Sequence, residues 1–287
     1  ENALDANATI VEIRLNEYGA KGLEVQDNGS GISSADFSSL ARKHHTSKLR
    51  DFDDLLQLTS FGFRGEALSA LATVCRLTIV TRTADEQSGF RLEYSETGEL
   101  MNSSVCARER GTTVCISDIF HSLPVRKEDF VRNIKREYAK LLPVVHGYAL
   151  ICTGIKILLY NSTQQGKKQL VVSSSGGTSM ADNIALLFGA KDAKQLDQID
   201  TSITAVSGKC VVKLVGFVTS LHSGGGRRAK DRQYIFVNSR PVDLPDFAKA
   251  VTECFRASPI NAGKHPTLIL NMNVDSTALD LNVTPDK

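Results

Sequence analysis

Near its start the chain sets Val11, Ile13 and Leu15 at every second position, and Leu23 and Val25 repeat the spacing just before the turn DNGSG. A period of two suits a strand with one buried face and no helix, so the opening of this chain is committed to a sheet. Helix signals then alternate with strand signals. Ser33 or Ser34 is placed to cap a helix whose apolar residues Phe37, Leu40 and Ala41 share one face, and Leu68, Leu71, Ala72 and Cys75 repeat that pattern after GFRGEA. Strands are expected at 76–81 and 113–116, with a hairpin over 90–105 turning at Thr97 and Gly98. A helix should run from Ile134 until Pro143 kinks or breaks it, followed by a strand pair at 155–160 and 169–173. Beyond the SSSGG run at 173–177 come a helix at 180–188, strands near 211–219 and 234–238, a helix at 247–255, and strands at 267–274 and 279–283. The pattern reads as two α+β or α/β units with mixed sheets, 1–176 and 177–287.

A chain of 287 residues can bury a substantial core, and its 41% hydrophobic content with 21 glycines is ordinary for a globular protein. No stretch approaches the roughly 18 apolar residues of a membrane-spanning helix, so no membrane partner is expected. The balance of 34 basic and 32 acidic residues, a net +2, is too even for wholesale coating of nucleic acid, so any such contact must come from local patches. None of the 6 cysteines forms a CxxC pair, which removes zinc ribbons and dithiol redox motifs. With no signal peptide visible, reduced thiols in an intracellular compartment are expected, and the absence of an initial Met suggests an upstream piece.

Four segments carry chemistry. In ENALDA at 1–6, Asn2 offers an amide oxygen of the kind a hard cation such as Mg²⁺ accepts alongside water and phosphate, although a polar helix start reads the same way. In EVQDNGSGI at 24–32, Asp27 at a strand end is an acceptor suited to an exocyclic amino group, while Gly29 and Gly31 allow a ligand close approach. A plain Asx turn uses the same residues. So does a near-GxGxxG dinucleotide turn, Gly29, Gly31 and Ser34 with Asp51, Asp53 and Asp54 downstream. In FGFRGEAL at 61–68 two glycines lead into an amphipathic helix, whose free amides and dipole favour an anion. Upstream, His44, His45, Thr46, Ser47 and Lys48 add hydroxyls and a cation; the paired histidines lack a third metal ligand. In GTTV at 111–114, Thr112 can reach a base through water or simply fill a β-branched strand. Neither a P-loop nor a GxSxG nucleophile elbow is present.

In this order ENALDA, DNGSGI, HHTSKL, GFRGEAL and GTTV resemble the motif series of the GHKL ATPases, and specifically MutL-type mismatch-repair proteins. The resemblance runs on through DIFHSLPVRKEDF, KREYAKLL, DRQYIFVNSRPVD and LDLNVTPDK, and KHHTSK with LPVRKEDF points to the eukaryotic postmeiotic-segregation (PMS) branch. It implies a GHKL (Bergerat) α/β sandwich followed by a transducer domain with the left-handed βαβ crossover of a ribosomal S-five-like fold. It implies ATP and Mg²⁺ as cofactors, with Asn2 as the metal ligand, Asp27 bonded to the adenine amino group and Thr112 assisting through water. Ser47, Lys48, Gly62, Arg64 and Gly65 would lie in the phosphate lid, Glu66, Ala67 and Leu68 would present backbone amides to the phosphates, and Lys287 would reach the γ-phosphate. The family's general base is a Glu four residues before the Asn, ahead of residue 1 here. Glu1, about 100° round the helix from Asn2, does not take its place. The resemblance thus implies an ATPase whose general base is expected upstream of residue 1, so that residues 1–287 by themselves would bind ATP without hydrolysing it.

The implied activity is an ATP-gated dimeric clamp on DNA. It would work with a MutL-homologue-one type partner and a mismatch-recognition MutS-type complex in the nucleus, with the constitutive dimer interface and a metal-dependent nicking site in a C-terminal region. Competing readings are an oxidoreductase built on the glycine turn, a topoisomerase- or chaperone-type GHKL ATPase, and a noncatalytic nucleotide-binding clamp. Two basic stretches can touch phosphates. Between His222 and Arg240 the cations Arg227, Arg228, Lys230, Arg232 and Arg240 face only Asp231, a local +4. Between Arg126 and Lys140 six cations face three acids, a local +3.

Overall fold

The computed structural model describes residues 1–43, 45, 62, 65–163, 166–204 and 211–275. Two compact units emerge, one from Glu1–Val145 with Gly154–Gly176, the other from His146–Thr153 with Gly177–Lys287.

The first unit is built on an 8-stranded sheet of order β5-β4-β3-β6-β2-β1-β7-β8. Its strands are β1 (Ile10–Asn16), β2 (Gly22–Asp27), β3 (Arg76–Arg82), β4 (Gly89–Tyr94), β5 (Leu100–Cys106), β6 (Gly111–Ser117), β7 (Lys156–Ser162) and β8 (Lys168–Ser173). All neighbours are antiparallel except β1 and β7, which run parallel with Val11 opposite Ile157. The helices are α1 (Asn2–Asp5), α2 (Ala67–Val74), α3 (Pro124–Arg132) and most of α4 (Ile134–Ile151). Alternation sends Leu77, Ile79, Leu92, Tyr94 and Ile116 into one core with Ala72, Cys75, Phe37 and Ala41. The Tyr94 hydroxyl enters that core because it donates to Phe37 O at 2.8 Å.

Two expectations are corrected here. The helix expected after Ser33 is only a single 3₁₀ turn, Ser34–Asp36, which Ser33 caps through Ala35 N. Ser39 Oγ bonds Asp36 O at 3.1 Å and so competes with the backbone, while Phe37 and Ala41 still reach the core. Pro143 neither ends nor divides α4, which runs unbroken over Ile134–Ile151. Burial of Val145, Ala149 and Leu150 beyond the proline offsets the one amide bond it cannot donate.

The second unit carries a 5-stranded sheet of order β12-β11-β13-β10-β9, made of β9 (Leu196–Thr204), β10 (Val211–Thr219), β11 (Gln233–Val237), β12 (Arg240–Val242) and β13 (Leu268–Asn273). β11 and β13 pair in parallel, and α7 (Pro245–Arg256) lies between them in sequence. Ile269 packs with Phe236, Ile184 and Leu150, whereas Leu268 and Leu270 pack with Ile235 and Ala248 of α7. Both faces of β13 are therefore covered, which is why LIL reads as a continuous apolar run. Neither β9 nor α3 has a sequence signal: β9 is an edge strand with mostly exposed residues, and α3 has no buried residue. The unit also contains α5 (Met180–Phe188) and α6 (Ala190–Ala193). The strand expected at 279–283 lies outside the described residues, and no helix among them is long and apolar enough to cross a membrane.

Two stability predictions arise from the second unit. Ser179 Oγ accepts Asp182 N at 3.1 Å at the start of α5, so Ser179→Ala should cost about 1 kcal/mol, read as a lower urea midpoint with an unchanged slope. His146 packs edge-on to Phe188 and lies 3.4 Å from the Tyr234 hydroxyl; burial first, and Arg232 second, hold its pKa below 6.5. The unfolded chain then binds the proton more readily, so stability falls as pH drops through about 6.5, and His146→Gln should flatten that fall between pH 7.5 and about 5.5.

Candidate nucleotide site

The motifs converge in the first unit through backbone contacts that only small residues allow. Ser30 N donates to Ala6 O at 2.9 Å, tying the turn after β2 to the end of α1. Asn28 fixes the start of β1, its Oδ1 accepting Thr9 N and Ile10 N, each at 2.9 Å. A Cβ on Gly31 would stand 2.2 Å from Arg82 O, and one on Gly111 would stand 2.2 Å from Asp27 O. The ends of β2, β3 and β6 are thus pressed together where Asp27 and Thr112 sit.

Asp27 is held from one side only. Its Oδ1 accepts Gly29 N at 2.8 Å and Thr112 N at 3.2 Å, while Oδ2 has no partner among the described residues. Thr112 Oγ1 lies 3.1 Å from Thr81 Oγ1, and Thr81 in turn contacts Gly111 O and accepts Ile32 N, with both threonines buried. The arrangement presents one carboxylate oxygen to an incoming donor and locks the other.

The glycine-rich segment approaches α1 as well, since Gly62 N donates to Asp5 Oδ2 at 3.0 Å. Gly65 abuts the backbone of His45, to which a Cβ would come within 2.5 Å. Glu66, Ala67 and Leu68 open α2, whose N-terminus carries no side-chain cap. First-turn amides of an uncapped helix are suited to an anion. Asn2 is the first residue of α1 and is exposed. Ser47, Lys48, Arg64 and Lys287 lie outside the described residues.

Sequence reasoning missed Thr81, Arg108 and Arg110. Arg110 Nε donates to Gly29 O at 2.9 Å and Arg108 Nη2 to Asp27 O at 3.4 Å, so the loop before GTTV clasps the DNGSG turn. Their one signal is proximity to Gly111, and nothing near Thr81 distinguishes it from a strand residue.

In the second unit Arg227 forms a two-pronged pair with Asp231, both distances 2.7 Å, and Arg232 pairs with Asp192 at 2.6 Å above the Phe188 ring. Arg240 is buried, leaving Arg228 and Lys230 as the exposed cations of the local +4. On α3 and α4, Arg132, Arg136 and Lys140 are engaged by Asp129 or Glu137, and Lys127 by Asp118.

A family model described as histidine kinase-, DNA gyrase B- and HSP90-like ATPase matches residues 1–109, and one described as DNA mismatch repair protein, C-terminal domain, matches residues 184–287. A solved N-terminal domain of a DNA repair protein superposes with TM-score 0.88 at 36% identity, over 99% of this chain and 84% of that one. The Aquifex aeolicus MutL ATPase domain complexed with ADP shares the fold, with TM-score 0.61 at 18% identity over 96% of this chain and 87% of that one. Fold and motif order together define a mixed α+β chain of the GHKL ATPase class. Among curated proteins, the DNA mismatch repair protein PMS1 of Arabidopsis thaliana is 44% identical over 287 residues, covering 100% of this chain and 30% of that protein. The chain belongs to the MutL-type DNA mismatch repair family, with PMS-type relatives along its whole length. It spans about a third of the length of those relatives.

Proposed function

We propose that this chain is the ATP-binding and hydrolysing N-terminal region of a MutL-type mismatch repair protein, acting as an ATP-gated dimeric clamp on DNA, with 1–176 as the ATP-binding domain and 177–287 as the transducer. The observation that carries the reading is Asp27, with Oδ1 fixed by two backbone amides and Oδ2 open to a donor such as the adenine amino group. The buried Thr112 and Thr81 hydroxyls suit a water-bridged base edge.

Bound Mg-ATP would supply the phosphoryl group and the charge that its lid must neutralise. The chain's own residues fit that role: Asn2, the exposed first residue of α1, would supply a single amide oxygen to the cation. The amides of Glu66, Ala67 and Leu68 would bind the phosphates, Gly62 and Gly65 with Ser47, Lys48 and Arg64 would contribute to the lid, and Lys287 would offset γ-phosphate charge, the last four of these side chains lying outside the described residues. Gating then requires the closed dimer to bind ATP more tightly than the open one, which shifts the population on loading and releases it on hydrolysis. The PMS-type likeness favours a MutL-homologue-one type partner, a MutS-type complex upstream and a nuclear setting.

Steady-state Mg-ATP turnover by the protein tests the enzyme reading. Turnover abolished by Asp27→Asn supports it, whereas nucleotide binding with no turnover leaves the noncatalytic clamp. For DNA we assign Arg227, Arg228 and Lys230 to phosphate contacts. Arg228→Ala with Lys230→Ala should lower the slope of log affinity against log salt by about 1.8, at roughly 0.9 per contact. An unchanged slope removes this loop from the interface.

A further inference from the structure

The strand alternation that buries Thr81 puts Arg82 on the opposite face of the first sheet. There a cleft of about 500 Å³ opens between the β3–β4 turn and the β5–β6 connection, lined by Arg82, Gln87, Ser88, Arg108 and residues 105–107. That volume is in the range of small-ligand sites, about 300–1,000 Å³. None of the lining residues is acidic.

Neither arginine has an ion-pair partner among the described residues. Arg82 Nη1 donates to Arg108 O at 3.0 Å, and its Nε is buried with no acceptor. Arg108 donates to two carbonyls, Gly111 O at 3.3 Å and Asp27 O at 3.4 Å. Burial lowers the pKa of Arg108, with the Asp27 carboxylate pulling the other way. Glu86, in the adjoining turn, is occupied by Thr83 N at 3.0 Å. Bonded only to neutral oxygens, the pair leaves Arg82 Nε without an acceptor and Arg108 with part of its desolvation cost. An oxyanion offsets both, and the planar fork of arginine matches phosphate oxygens in pairs.

We propose that this cleft is a binding site for a phosphate-type oxyanion, either inorganic phosphate or a phosphomonoester, held between Arg82 and Arg108 with Ser88 and Gln87 as neutral donors. Arg108 borders both this cleft and the Asp27 turn, to whose carbonyl it donates, whereas Arg82, Gln87 and Ser88 belong to the cleft alone.

The test is calorimetric titration of the chain with inorganic phosphate and, separately, with phenyl phosphate, each at ionic strength held constant with chloride. Saturable binding is expected, at least tenfold weaker in Arg82→Gln and in Ser88→Glu. Ser88→Glu places a carboxylate in the cleft and should also raise the melting temperature, so it remains informative where Arg82→Gln fails to fold. Tighter binding of phenyl phosphate identifies an ester as the ligand, and equal or tighter binding of the free ion identifies phosphate. Selenate soaked into crystals should give an anomalous peak between the two guanidinium groups. Equal affinity in wild type and Ser88→Glu, no saturable binding, or a selenate peak only elsewhere overturns the proposal.

Discussion

Asp27→Asn should lower nucleotide affinity by about 100-fold while leaving the fold intact, corresponding to roughly 3 kcal/mol for a lost charged hydrogen bond and an opposed donor. An amide at this position keeps the oxygen that accepts Gly29 N and Thr112 N, at 2.8 and 3.2 Å, so the turn retains its internal bonds. The NH₂ then occupies the Oδ2 position and, on the proposed assignment, would meet the adenine amino group donor to donor. Titration with a fluorescent ATP analogue reads the effect, and an unchanged urea midpoint shows that the fold is spared. An affinity within threefold of wild type would falsify the assignment of Asp27 to the base.

Gly111→Ala should cost the first unit about 3 kcal/mol or more of stability. Gly111 has φ +126°, and the added Cβ would meet Asp27 O at 2.2 Å and Asn28 Cα at 2.8 Å. Both are backbone atoms in the middle of the sheet, so relief requires moving the strand that carries Asp27. Gly154→Ala is the control, because φ is +78° there but nothing lies within 4 Å of the new Cβ. It should cost only the left-handed backbone term, about 1–2 kcal/mol. The two variants compared by urea denaturation separate collision from backbone preference, and equal losses would show that the contact with Asp27 yields freely. Gly111→Ala should weaken nucleotide binding as well, since it displaces the acceptor itself.

Much of this architecture is legible before any coordinates. Val11, Ile13 and Leu15 alternate because β1 has one face in a core, and Met180–Phe188 reads as a helix because Ser179 caps it and Ile184 anchors its buried side. The order of the motifs is legible too, since each consists of residues adjacent in sequence. Where local signals misled, tertiary packing outweighed them: Pro143 sits within a helix whose later residues are buried, and the serines after Ser33 compete with the backbone for a helix that Phe37 and Ala41 do not need in order to reach the core.

By itself the sequence determined most of the strands, though not β9 or β12, and that Asp27, Gly62 to Leu68 and Thr112 belong to one motif series. Only the tertiary structure decided that Thr112 N reaches Asp27 Oδ1 across 85 positions, that Thr81 lies beside Thr112, and that Arg108 and Arg110 grip the turn from behind. It likewise decided that Arg227 pairs with Asp231 while Arg82 and Arg108 form no ion pair among the described residues. The physical reason is that propensity and periodicity act within a few residues of one chain segment, whereas pairing, burial and the fate of a charge depend on which distant segments the sheet brings side by side.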